Sequence, residues 1–125
     1  MNLVDSSGWL EYFADGKNAQ HYASAIEDTK KLIVPSICLY EVFKRLLQQK
    51  GEGIALKAAS AMQQGRVIDL DQSLALAAAK LSHTSKLPMA DSIILTIARS
   101  FKATLWTQDE DFKDILGVKY FNPKH

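Results

Sequence analysis

Met1-Asn2-Leu3-Val4-Asp5-Ser6-Ser7-Gly8-Trp9-Leu10-Glu11-Tyr12-Phe13 opens the chain with a change of rhythm. Asn2–Val4 is a short apolar run that ends on an acid. Ser6 and Ser7 then offer helix caps, and Trp9, Leu10 and Phe13 recur at the spacing of one amphipathic helical face. A strand closed by a carboxylate and followed at once by a helix is the repeating unit of an α/β fold.

The rhythm continues outward. Asp15-Gly16 is expected to stop the first helix through the left-handed freedom of glycine, and Asn18 to Glu27 carries Tyr22 and Ile26 at helical spacing. Lys31–Val34 reads as a second strand, left through Pro35 with Ser36 as a helix cap. The helix from Ile37 to Gln49 then presents Leu39, Phe43, Leu46 and Leu47 on one face. Gly51 and Gly53 make a break before a helix over Ile54–Gln64, closed by Gly65. Val67–Leu70 is a third strand, and Asp71 caps the Ala- and Leu-rich helix Leu74–Ser82. Leu87-Pro88-Met89 leads into a helix beginning near Asp91. Ala103–Thr107 is a fourth strand, Asp111–Ile115 a short helix and Val118–Phe121 a last strand. Strands alternating with helices of this length predict a parallel sheet covered by helices.

The chain's 125 residues bound it to one domain, 1–125, with room for a real core. Its 47% hydrophobic and 23% charged residues are those of an ordinary globular protein. A net charge of +1 supplies no strong electrostatic case for nucleic acid, although an acidic site hides local basic patches within a near-neutral total. The lone cysteine, Cys38, excludes an intramolecular disulfide and suits a reducing compartment. No leader pattern is visible, and no apolar run approaches the ~20 residues of a membrane span. A cytoplasmic location is the simplest expectation.

Four acids stand where apolar segments begin or end: Asp5, Glu41, Asp91 and Asp109. In an open parallel sheet, ligands bind beyond the carboxyl ends of the strands. Asp5 and Asp109 follow strands directly, and Glu41 lies about one and a half turns into a helix that leaves the same rim. Carboxylates gathered there repel by roughly 3 kcal/mol per pair at about 5 Å and an effective dielectric of about 20. A hard divalent cation is the usual counterweight. Each acid also has a plainer use. Asp5 suits a strand-end turn, Glu41 an i,i+4 pair with Arg45, Asp91 an N-cap and Asp109 the start of the next helix. Asp69 and Asp71 flank a strand end in the same way, and capping accounts for them.

Motif resemblance separates these uses. Leu3 to Phe13 resembles the start of PIN-domain nucleases of the VapC toxin type. Val34-Pro35-Ser36 leading to Tyr40-Glu41-Val42 agrees in order and spacing, as do Leu87-Pro88-Met89-Ala90-Asp91-Ser92-Ile93-Ile94 and Leu105-Trp106-Thr107-Gln108-Asp109-Glu110-Asp111-Phe112. The match spans nearly the whole chain. It implies a three-layer α/β/α sandwich, commonly dimeric, and a Mg²⁺- or Mn²⁺-dependent endoribonuclease. It implies that Asp5, Glu41, Asp91 and Asp109 form the acidic metal site, supported by the hydroxyls of Thr107 and Ser6. It also implies a cognate antitoxin whose C-terminal tail covers the active-site groove. Asp111 is an extra acid that can trade places with Asp109 among the ligands.

The remaining residues are assigned more simply. Lys44, Arg45 and Lys86 are candidate contacts to RNA phosphate, set against the plainer role of a solvated surface. Trp9, Tyr12 and Phe13 are expected to pack a helix onto the sheet rather than stack bases. His21, His83 and His125 show no metal-ligand spacing. Leu10, Phe13, Ile37 and Tyr40 are candidates for a two-fold interface. A phosphoacceptor receiver domain shares the length and β/α order, but it needs an acidic pair after the first strand and a lysine where Gln108 stands. A PIN-like RNA-binding or assembly module without cleavage is the other alternative, and the presence of all four acids argues against it.

Overall fold

Leu3 and Val4 lie on opposite faces of their strand, yet both are fully buried, so helices cover the central sheet from both sides. The computed structural model describes residues 1–124, and His125 lies outside them. Strands β1 (Asn2–Val4), β2 (Leu32–Pro35), β3 (Arg66–Ile68), β4 (Thr104–Thr107) and β5 (Val118–Tyr120) form one parallel sheet of order β3-β2-β1-β4-β5. Helices α1 (Ser6–Phe13), α2 (Ala19–Ile26), α3 (Ser36–Lys50), α4 (Glu52–Met62), α5 (Gln72–Ser85) and α6 (Met89–Ser100) flank it. The result is the expected α/β/α sandwich.

β1 occupies the middle of the sheet. Leu3 is in register with Ile33 of β2 on one side and Leu105 of β4 on the other. Every residue of β2 is buried, whereas the edge strand β5 is only partly covered, as expected for central and edge positions. Because all five strands run the same way, their carboxyl ends share one rim. That rim receives the starts of α1 and α3 and the exit of β4.

Several local expectations are corrected. Asp5, not Ser6 or Ser7, caps α1, its carboxylate accepting from the Gly8 amide at 3.1 Å. Asp15, not Gly16, takes the left-handed conformation after α1 (φ 52°). At Gly16 the space a Cβ would need is filled by the Glu11 carboxylate. Ser36 is the first residue of α3, and Pro35 precedes it without a side-chain cap. The stripe that α3 buries is Cys38, Val42 and Leu46; Leu39 and Phe43 are partly covered and Leu47 is exposed. An i,i+4 row tracks the helix face more closely than the apolar residues chosen by eye. Asp91 lies inside the first turn of α6, behind Pro88, and caps nothing. The helix expected over Asp111–Ile115 shrinks to a single 3₁₀ turn, Glu110–Phe112, and Asp114 soon follows at φ 67°.

Other expectations hold. Asp71 caps α5 through a 2.8 Å bond from the Leu74 amide, and Gly51 (φ 92°) breaks the chain between α3 and α4. α6 is buried continuously from Ser92 to Ala98, which anchors its first turn against the sheet. Among the described residues, no helix is long and apolar enough to cross a membrane.

Candidate metal centre

Asp5 sits at the carboxyl end of β1 with 3% exposure, and its main-chain amide still donates to the Trp106 carbonyl at 3.1 Å. Its Oδ1 accepts from the Ser7 hydroxyl at 2.7 Å and the Gly8 amide at 3.1 Å, and its Oδ2 from the Thr107 hydroxyl at 2.8 Å. Thr107 is fully buried at the end of β4, where it accepts from the Asp109 amide at 2.9 Å. Asp109 in turn caps the 3₁₀ turn by accepting from the Asp111 amide, also at 2.9 Å. This cap turns the chain so that Asp109 and Asp111 both face α6.

The carboxylates of Asp91, Asp109 and Asp111 converge there, with one oxygen from each lying within 4.8 Å of the others. Asp91 is half-buried, Asp109 partly buried and Asp111 exposed. Asp5 lies behind this trio, close enough for its charge to act on Asp91. Burial pushes the Asp5 carboxyl up to about 6, against the lowering effect of its bonds from Ser7, Thr107 and Gly8. Asp91 is raised further, to about 8, first by burial, then by the Asp109 charge and a hydrogen bond shared with Asp111. Acids held this far above their ordinary range are under strain when ionised together, and a cation relieves that strain.

Glu41 stands apart from the trio. On the second turn of α3, it accepts from the Ser6 hydroxyl at 2.6 Å through Oε1. With Tyr40, Lys44, Arg45 and Gln48 it lines a shallow cavity of about 280 Å³. Lys44 Nζ lies 5.7 Å from the centroid of the Tyr40 ring. Lys86 is exposed and closes α5 in the left-handed conformation (φ 64°). Cys38 is fully buried, and burial followed by the neighbouring Asp5 charge raises its thiol, leaving it a small core residue rather than a nucleophile. Trp9 is likewise fully buried and stacks on Phe13 at 5.6 Å, which is the packing role expected of it.

Ser7 and Gln108 join this network although the sequence did not mark either as a site residue. The Gln108 amide donates to Ser7 Oγ at 3.2 Å. The Gln108 side-chain carbonyl accepts from Asn18 Nδ2 at 3.1 Å, tying the site to the α1–α2 loop. The one available sequence signal for Ser7 was the doubled serine after Asp5, which reads equally well as a cap. Ser7 and Gln108 also border an apolar groove of about 520 Å³ that includes Leu10, Phe13, Arg45 and Ile54.

An all-oxygen donor set of three converging carboxylates, backed by a fourth, suits a hard divalent cation such as Mg²⁺ or Mn²⁺ better than zinc or copper. Asp91, Asp109 and Asp111 fit such an ion directly, and Asp5 closes the buried side.

Comparison with known proteins gives a consistent picture. A family model described as PIN domain matches residues 3–117. A toxin–antitoxin complex from Klebsiella pneumoniae superposes with TM-score 0.81 at 23% identity, over 95% of this chain and 96% of that one. VapC20 of Mycobacterium tuberculosis, described as a sarcin-ricin loop cleaving toxin, gives 0.73 at 19% identity over 90% and 92%. VapBC2 from Rickettsia felis, bound to a promoter DNA fragment, gives 0.74 at 14% over 96% of each chain. No curated protein sequence matches significantly.

Proposed function

Since the chain belongs to the PIN-domain family, we propose that it is a divalent-metal-dependent endoribonuclease of the VapC type, held inactive by a cognate antitoxin. The observation that carries this is the convergence of Asp91, Asp109 and Asp111 within 4.8 Å, over Asp5, at the carboxyl rim of a parallel sheet. Asp5, Glu41, Asp91 and Asp109 are the ligands expected from the sequence, and Asp111 is assigned beside Asp109 because its carboxylate reaches the same cluster. Asp91, Asp109 and Asp111, with Asp5 behind them, would hold a Mg²⁺ or Mn²⁺ ion, which when bound would lower the pKa of a coordinated water and neutralise charge on a phosphodiester.

The chain's own groups do the rest. Thr107 and Ser7 hold the Asp5 carboxylate in one orientation. Asp91, raised first by burial and then by the Asp109 and Asp111 charges, would give up its proton to a filled site, where a cation would offset both. Glu41 is held through Oε1 by Ser6, and its Oε2 is assigned as the acceptor of a proton from the attacking water, or as a further ligand. Lys44 and Arg45, on the exposed turn beyond Glu41, are assigned to RNA phosphate, and Lys86 to guiding the strand.

Toxin–antitoxin assemblies among the structural neighbours support an antitoxin partner. The groove bordered by Ser7, Leu10, Phe13, Ile54 and Gln108 is assigned to its tail, because it is largely apolar and its Ser7 and Gln108 edge belongs to the hydrogen-bond network around Asp5. A homodimer is also proposed. Tyr40 is 60% exposed and available to it, whereas Leu10, Phe13 and Ile37 are partly covered by the protein's own core.

The test is incubation of the purified protein with total RNA in Mg²⁺, Mn²⁺ or EDTA, beside Asp91→Asn. Metal-dependent cleavage abolished by the substitution is the expected result. A folded, antitoxin-free protein that cuts nothing under either metal and binds no Mn²⁺ in calorimetry would overturn it.

A further inference from the structure

We propose that Ser7 is a positioning residue that fixes which oxygen of Asp5 is offered to the metal; this rests on the nuclease assignment above. It follows from where the hydroxyl protons go. Ser7 and Thr107 lie with their hydroxyl oxygens 3.4 Å apart, and each carries one proton. Thr107 donates its proton to Asp5 Oδ2 at 2.8 Å and Ser7 donates its proton to Asp5 Oδ1 at 2.7 Å. No proton therefore remains for a bond between the two hydroxyls.

Each hydroxyl also accepts from a main-chain amide of the β4 exit. Gln108 donates to Ser7 at 3.2 Å and Asp109 donates to Thr107 at 2.9 Å. Two parallel relays result, each running from a backbone amide through a hydroxyl to one oxygen of the same carboxylate. Such chains polarise along their length and strengthen the terminal bond.

A carboxylate oxygen accepts about two hydrogen bonds. Oδ1 already receives two, from Ser7 and from the Gly8 amide, whereas Oδ2 receives one, from Thr107. Asp5 thus has one lone pair to offer, on Oδ2, and would serve as a single-point ligand. Losing the Ser7 hydroxyl leaves Oδ1 with the Gly8 bond alone, so that each oxygen has one open lone pair and neither is singled out for the metal, and it leaves the Gln108 amide without its acceptor. The adjacent hydroxyl cannot take over, because Ser6 donates away from Asp5, to Glu41. Capping does not explain Ser7 either, since Asp5 itself caps the helix.

The test compares Ser7→Ala and Ser7→Thr with the unaltered protein by Mn²⁺ calorimetry, with melting in EDTA as the fold control. Ser7→Ala is expected to weaken Mn²⁺ binding about 10- to 100-fold, the range seen when groups that orient metal ligands are removed, while melting cooperatively in EDTA. Ser7→Thr, which keeps the hydroxyl, is expected to restore most of the affinity. Should Ser7→Ala fail to fold, Ser7→Cys keeps the volume with a weak donor and carries the same expectation. Unchanged Mn²⁺ affinity in a folded Ser7→Ala or Ser7→Cys protein would overturn the proposal and leave the nuclease assignment standing. Failure of the unaltered protein itself to bind Mn²⁺ would remove both.

Discussion

Asp5 has two jobs that chemistry can separate. Its carboxylate caps α1 by accepting from Gly8, and asparagine caps about as well as aspartate. Asp5→Asn is therefore expected to melt close to the unaltered protein in EDTA yet lose most RNA cleavage, because the ligand charge is gone. Retained cleavage with the same Mg²⁺ dependence would remove Asp5 from the site. Asp71 is the matched control: it caps α5 far along the chain, so Asp71→Asn is expected to leave cleavage intact. Asp111→Asn is expected to weaken Mn²⁺ binding about as much as Asp109→Asn, since both acids reach the same 4.8 Å cluster; calorimetry on the pair decides. The positions of Asp5, Asp91 and Asp109 at the ends of apolar segments were legible in the sequence. Asp111 was legible only as an extra acid able to trade places with Asp109, because two residues after an acid can point anywhere until the turn is known. Here the Asp109 cap sets that turn. Ser7 was hidden for a related reason: a serine after a strand looks the same whether it caps a helix or grips a carboxylate.

Elements place these residues by packing. Helix α1 meets β1 and α2 at Gly8, where an added Cβ would lie 2.6 Å from Val4 Cγ1 and 2.7 Å from the Tyr22 ring. Gly8→Ala is therefore expected to destabilise the protein by about 1–3 kcal/mol in denaturant unfolding, the usual cost of overpacking. It should also lower activity by displacing the turn that carries Ser6 and Ser7. Helix and strand order was readable from alternating apolar runs and from the prolines and glycines between them. The buried face of α3 was not, because Leu39, Phe43 and Leu47 are as apolar as the Cys38, Val42 and Leu46 stripe that faces inward. Periodicity finds a helix more readily than it finds which way the helix is turned.

At the scale of the molecule, the site stores electrostatic cost in the metal-free state. Asp5 and Asp91 titrate at about 6 and about 8 in the folded chain, against 3.8 for an ordinary aspartate. The folded state thus holds protons that the unfolded state has lost. Stability contributed by these protons is complete below about 3.8 and disappears as pH rises through the raised values. Melting in EDTA is expected to fall between about pH 5 and about pH 8, and Mn²⁺ should raise it more at the higher pH. Mn²⁺ uptake near neutrality should release protons, seen as a buffer-dependent heat in calorimetry. A melting temperature in EDTA that rises over that interval would contradict the assigned protonation.

β1 is made well before its partner on one side, β4, about a hundred residues later. The proposed ligands are divided the same way, Asp5 at one end of the chain and Asp91, Asp109 and Asp111 near the other. A chain leaving the ribosome from its amino end therefore cannot gather its acids until β4 has emerged and slotted beside β1. The ribonuclease proposed above would be harmless to the RNA around it until that strand pairs, and the delay is written into strand order.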